Sequence, residues 1–199
     1  MSEHASERRR WTLREFFDWA EGQDGVWELI DGFPVPKMMA TPKLRHQDVA
    51  GNAYFHLRRQ LREPCRTYQN TSVEVKAERA DAEQTREPDV LVDCAEKNSD
   101  SNLATPVFVV EVPSDSTRVF DLNDKLAEYR RTASIRYIVL IEARACEAQV
   151  YERTGDDWTV HGYSSLDDEL TFEAIGASLT LSDLYENVPL PPRPEVVRP

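Results

Sequence analysis

Apolar and polar residues along the chain form short blocks whose period switches between helix-like and strand-like. After a charged lead-in, LREFFDWAEG places Leu13, Phe16, Phe17 and Ala20 on one face at helical spacing. Thr12, with Glu15 three residues on, supplies a capping box at its start. VWELI then alternates, and Asp31-Gly32 is the turn of a hairpin into FPVPKMM, which Pro34 and Pro36 restrict to a short or edge strand.

A long helix is predicted over roughly residues 42 to 62, capped by Thr41 with Pro42 at its first position. Val49, Ala50, Ala53, Tyr54, Leu57 and Leu61 form its buried stripe. SVEVKA reads as a strand, Glu78 to Glu87 as a polar acidic loop, and PDVLVD and TPVFVVEV as strands. The helix DLNDKLAEYRRT and the apolar strand RYIVLIE follow, then the shorter strands AQVYER, WTVHGY and DELTFE and a helical turn at SDLYEN. Strands before and after each helix place the fold in the α/β (α+β) class, a mixed central sheet flanked by helices. The expected organisation is a flexible lead-in over residues 1–11, one domain over 12–187 and a Pro-rich extended tail over 188–199.

Composition narrows the setting. With 199 residues, 30% charged and 40% hydrophobic, the chain has the make-up of a water-soluble globular domain. It has no apolar run near the ~20 residues that cross a bilayer and no signal-peptide core, so a cytoplasmic, non-membrane protein is expected. Cys65, Cys94 and Cys146 are odd in number and form no CxxC pair, which points to free buried thiols rather than a disulfide framework or a zinc site. The net charge of -12, from 24 basic and 36 acidic residues, gives no overall electrostatic footprint for nucleic acid. Any phosphate contact must come from a local patch, a metal ion or a partner chain.

One residue breaks the pattern. Glu111 sits within the apolar strand VFVVEV, where an ionised carboxylate is costly unless paired or coordinated. Asp89, at the start of PDVLVD, shares a face with Leu91 and Asp93; Glu111 shares one with Val107 and Val109. Two acids on neighbouring buried strands repel unless a cation lies between them, and oxygen ligands suit Mg²⁺. Alternatively, Asp89 merely begins its strand and Glu111 meets an arginine. Lys125 falls on the apolar stripe of the following helix, with Leu122, Leu126 and Tyr129. It either snorkels outward or reaches Glu111, where it could hold a water nucleophile or offset charge on a phosphorane. Arg58, Arg59, Arg62 and Arg66 form a basic stretch at the end of the long helix, suited equally to phosphates and to the helix dipole. His56 and His161 belong to no triad or metal spacing.

Pro88-Asp89, Glu111-Val112, Ser114-Asp115-Ser116-Thr117, Asp121, Asp124-Lys125-Leu126 and Tyr129, in this order, resemble the Uma-type restriction endonuclease family, a branch of the PD-(D/E)XK nuclease superfamily. Trp27-Glu28-Leu29-Ile30-Asp31-Gly32 is similar to that family's first hairpin, and His46 to the histidine that begins its long helix. The resemblance runs from about Thr12 to about Leu184. It implies a restriction-endonuclease-like core in which Asp89, Glu111 and the Val112 carbonyl bind Mg²⁺ or Mn²⁺. Lys125 would substitute for the lysine usual two places after the glutamate, where this chain has Pro113. Glu28 and His46 would support the site, Glu28 as a metal-facing or outer carboxylate. The implied activity is metal-dependent hydrolysis of nucleic acid, DNA first; a homodimer is expected because cutting both strands of a duplex is simplest with two sites, and RNA or a small phosphodiester is a further candidate substrate. A metal-free binding module on a nuclease scaffold is the alternative of a different class.

Overall fold

The structure, a computed structural model, describes residues 9–37, 43–96, 101–113 and 120–191. Helix α1 (Leu13–Ala20) begins with the expected capping box: Thr12 accepts from the Glu15 N–H, and the Glu15 carboxylate accepts from the Thr12 N–H. Strands β1 (Trp27–Ile30) and β2 (Phe33–Pro36) pair as an antiparallel hairpin, with Asp31 (φ 49°) and Gly32 (φ 77°) both left-handed at its turn. A Cβ on Gly32 would lie 2.6 Å from Arg10 Cβ, and Trp11 N–H donates to the Gly32 carbonyl at 2.8 Å. The last residues of the expected flexible lead-in are therefore packed on the hairpin.

Helix α2 spans Leu44–Gln60, with Lys43 at the cap position; Thr41 and Pro42 lie outside the described residues. It ends two residues earlier than its periodicity suggests. Arg66 consequently belongs not to a helical basic cluster but to strand β3 (Arg66–Gln69), which the sequence pattern missed. The supposed acidic loop is also partly structured: β4 (Val73–Glu74) pairs with β5 (Thr85–Arg86), and Gln84, Thr85 and Arg86 are buried.

Strands β6 (Val90–Asp93), β7 (Pro106–Glu111), β8 (Tyr137–Ile141), β9 (Ala148–Thr154) and β10 (Asp157–Tyr163) complete a six-stranded sheet of order β10-β9-β8-β7-β6-β3. Only β7 and β8 run parallel within it. Parallel neighbours need a crossover, and helix α3 (Phe120–Arg131) provides it. The residues of the expected turn, Ser114 to Thr117, lie outside the described residues. The C-terminal part adds a hairpin of β11 (Glu169–Phe172) and β12 (Ala177–Thr180), followed by the short helix α4 (Leu181–Leu184).

The pleat divides the core between two faces. Val90, Val92, Phe108, Val110 and Val139 pack with α2 and the C-terminal hairpin on one side. Leu91, Val109 and Ile138 pack with Tyr129 of α3 on the other. On the first side Phe172, fully buried, meets Phe108 and Tyr137 edge-on at centroid distances of 4.7 and 5.3 Å. Among the described residues no helix is long and apolar enough to cross a membrane.

The cysteine expectation is corrected. Cys65 and Cys94 form a disulfide, because the β3–β6 register sets Arg66 opposite Asp93 and so brings their outer neighbours together. Sequence spacing cannot show this while β3 is unrecognised. Such a bond belongs to oxidising conditions, so the cysteines no longer support a reducing compartment. Thiol titration of the denatured, unreduced protein should find one reactive thiol, Cys146, and three after reduction; three before reduction would refute the bond. Phe172→Ala should lower the unfolding free energy by about 3–5 kcal/mol in urea titrations.

Candidate active site

Two adjacent strand ends and two helices converge on one carboxylate pair. The pleat of β6 and β7 directs Leu91 and Val109 toward α3, and Asp89 and Glu111 belong to the same face. α3 follows β7 in the chain and must cross this face to reach β8. Among the described side chains of α3, Lys125, Glu128 and Tyr129, at i, i+3 and i+4, are accordingly the buried ones. Lys125 does not snorkel outward: its Nζ donates to Glu111 Oε2 at 3.3 Å, and Tyr129 Oη donates to Glu111 Oε1 at 2.7 Å. Both oxygens of the misfit carboxylate thus have partners from one helix.

Asp89 is held from the other side. Val112 N–H donates to its Oδ2 at 2.7 Å, and His46 Nε2, in the first turn of α2, lies 3.3 Å from its Oδ1. Burial pushes the Asp89 carboxyl up, but the His46 hydrogen bond and charge, the Val112 amide and the Lys125 charge together bring it below its ordinary value. The hydrogen bond to Asp89 in turn raises His46 against the effect of burial. Glu111 is raised, by burial first and by the Asp89 charge, with Lys125, Tyr129 and Lys37 opposing. The pair is therefore asymmetric: Asp89 is stabilised as an anion, while Glu111 resists ionisation.

Glu28 is brought near but engaged elsewhere. Its Oε2 accepts from Arg86 Nη1 at 3.1 Å and its Oε1 from the Glu87 N–H at 3.1 Å. Arg86 also makes a two-point contact with Glu128, at 2.6 Å through Nε and 2.8 Å through Nη2. Lys37, just past β2, donates to the Glu87 carbonyl at 2.9 Å. Sequence reasoning singled out none of Arg86, Glu128 and Lys37. Glu128 was legible from its three-residue spacing after Lys125. Arg86, inside a stretch that reads as an acidic loop, was not.

The other basic and histidine candidates stay apart from this centre. Arg58 and Arg59 are exposed in the last turn of α2. His56 pairs with Asp183 and Glu186 at 3.6 and 3.3 Å, and His161 lies on the edge strand β10. A cavity of about 180 Å³ is lined by Pro113, Leu122, Leu140 and Gln149, without the side chains of Asp89, Glu111 or Lys125.

Among the described residues no group of three His, Cys, Asp or Glu side chains forms a metal cage. The donor set at Asp89 and Glu111 is two carboxylates with a backbone carbonyl nearby in sequence. That fits a hard divalent ion keeping most of its water shell, and it fits the mutual repulsion of the two acids. His46 Nδ1 is buried without a hydrogen-bond partner beside them.

A family model described as "Putative restriction endonuclease", Uma2, matches residues 13–182. The chain belongs to the Uma2 family. Among solved structures, one titled "putative nuclease belonging to DUF820", from Anabaena variabilis ATCC 29413, superposes with a TM-score of 0.65. It covers 87% of this chain and 97% of the other at 14% identity, which establishes a shared fold. A curated relative, "Uncharacterized protein slr1290" of Synechocystis sp., is 29% identical over 104 residues. That match spans 51% of this chain and 54% of the relative, about half of each. The Uma2 assignment and the nuclease-like neighbour agree with the mixed sheet and flanking helices described above.

Tyr129→Phe removes a donor from a buried carboxylate that keeps its other partner. Chemical denaturation should show a loss of about 1.5–3 kcal/mol with an unchanged denaturant slope; an unchanged midpoint would show that the hydroxyl does not hold Glu111.

Proposed function

We propose that this Uma2 chain is a divalent-metal-dependent endonuclease that hydrolyses phosphodiester bonds of nucleic acid, with DNA as its substrate. The observation that carries this reading is the meeting of Asp89, Glu111 and Lys125 at the ends of β6 and β7. Asp89, Glu111 and the Val112 carbonyl would hold Mg²⁺ or Mn²⁺. Such an ion polarises a phosphoryl oxygen and lowers the pKa of a water molecule.

The protein's own groups prepare that chemistry. His46 and the Val112 amide fix the Asp89 carboxylate as an anion. Tyr129 fixes one oxygen of Glu111 and Lys125 meets the other, so the carboxylate cannot turn away from Asp89. The Lys125 amine offers a positive charge within reach of a bound phosphate, where it can orient the attacking water or offset charge gathering on the pentavalent phosphorus. Neutralisation by an ion and Lys125 is also the local means by which a chain of net charge -12 can accept a phosphate backbone. Cutting both strands of a duplex calls for two such sites, which a second copy of the chain supplies.

The -12 charge and the lack of a three-side-chain cage among the described residues favour a second reading, a metal-free interaction module. Assays on supercoiled DNA, single-stranded DNA and RNA with Mg²⁺ or Mn²⁺ separate the two. Asp89→Asn, Glu111→Gln and Lys125→Ala should each reduce cleavage by about a hundredfold or more, with far-UV circular dichroism unchanged, and chelation of the metal should abolish it. Cleavage as fast in Glu111→Gln as in the wild type would refute the assignment. Absence of any Asp89-dependent metal binding in calorimetry would favour the module.

A further inference from the structure

Arg86 binds both Glu28 and Glu128, and its position links the elements that carry Asp89 and Lys125. One branch of its contacts runs through Glu28. That residue, on β1, takes the guanidinium on one oxygen and the Glu87 N–H on the other, two residues before Asp89. Pro88 follows Glu87 with its φ fixed by the ring, so the Glu87 amide sets the course of the short link into Asp89. The other branch runs through Glu128, one helical turn beyond Lys125 and adjacent to Tyr129. A two-point guanidinium–carboxylate contact is planar and directional, so it fixes α3 in rotation as well as in distance. All three side chains are buried, at 8%, 7% and 9% exposure for Glu28, Arg86 and Glu128, and water cannot substitute for a missing partner.

We propose that Glu28, Arg86 and Glu128 are positioning residues that set the spacing between Asp89 at its strand end and the Lys125 and Tyr129 groups on α3. This rests on the reading of Asp89, Glu111 and Lys125 as the working centre. It gives Glu28 a positioning role, since its two oxygens hold Arg86 and the Glu87 N–H. Glu128 immediately precedes Tyr129 in α3, so the network adjoins the residue that donates to Glu111.

The decisive test uses the full-length, metal-free protein. Val112 N–H donates to Asp89, so its hydrogen exchange reports where that carboxylate lies. In Arg86→Lys, which keeps the charge but loses the planar fork, the Val112 amide should exchange about tenfold faster or more, while the amides of β8 retain wild-type protection. Equal acceleration at both would mark Arg86 as a general prop of the fold and overturn the proposal, as would unchanged protection at Val112. Should Arg86→Lys fail to fold, Glu28→Gln, which leaves the Arg86–Glu128 contact in place, must show the same split. A second readout is the Mn²⁺ dissociation constant by calorimetry, expected to rise about 10–100-fold in both variants. A rise in Glu28→Gln alone, with Arg86→Lys equal to wild type, would make Glu28 a ligand and overturn the assignment. Failure of the wild type to cleave nucleic acid would count against the endonuclease reading and leave the exchange result to decide this one.

Discussion

The arrangement depends on the cost of keeping the Glu111 carboxylate out of water at the end of a central strand. The strand neighbours that share its face are apolar, and Asp89 adds a like charge. Relief comes from α3, which delivers an amine and a phenol to the two oxygens. The direction of that helix is a consequence of the single parallel pairing in the sheet, since a crossover between β7 and β8 must pass over one face. Topology and electrostatics therefore require the same helix in the same place. The local rule that strands bury apolar residues is broken at Glu111, where the candidate site lies.

Much of the fold is legible in the sequence because its elements are long or strongly punctuated. The capping box at Thr12, the Asp31-Gly32 turn and the apolar run through Val109 announce themselves. Strands β3 and β5 do not. RTYQ and TR are too short for a period to show, and each is held by its sheet partner rather than by its own alternation. Missing β3 hides the proximity of Cys65 to Cys94, so the thiol count misleads. Missing β5 hides Arg86, since an arginine among acidic residues looks solvated until a second strand buries it. The centre itself is easier to read than its support. An acid in an apolar strand and a lysine on an apolar stripe are anomalies in themselves, whereas Glu128 shows only through its spacing from Lys125.

The two faces of the sheet divide the labour. The face under α2 and the C-terminal hairpin is aromatic and aliphatic, closed by Phe108, Tyr137 and Phe172, and carries the bulk of the buried apolar surface. The face under α3 has a smaller apolar cluster and hosts the charged groups. Helix α2 serves both: its buried stripe belongs to the first face, and its opening turn sends His46 to Asp89. The larger apolar cluster thus lies on the face opposite the one that α3 covers with Lys125 and Tyr129.

The ion pairs around Arg86 have a further meaning as a matter of electroneutrality. Around the centre, among the described residues, the carboxylates Glu28, Glu87, Asp89, Glu111 and Glu128 stand against the permanent cations Lys37, Arg86 and Lys125. Five against three, with His46 beside Asp89 as a titratable fourth cation, leaves the acids in excess in a region largely withdrawn from water. Such a region equilibrates by taking up protons or by taking up a cation. The raised affinity of Glu87 and Glu111 for protons is the first response. Uptake of the proposed divalent ion would be the second.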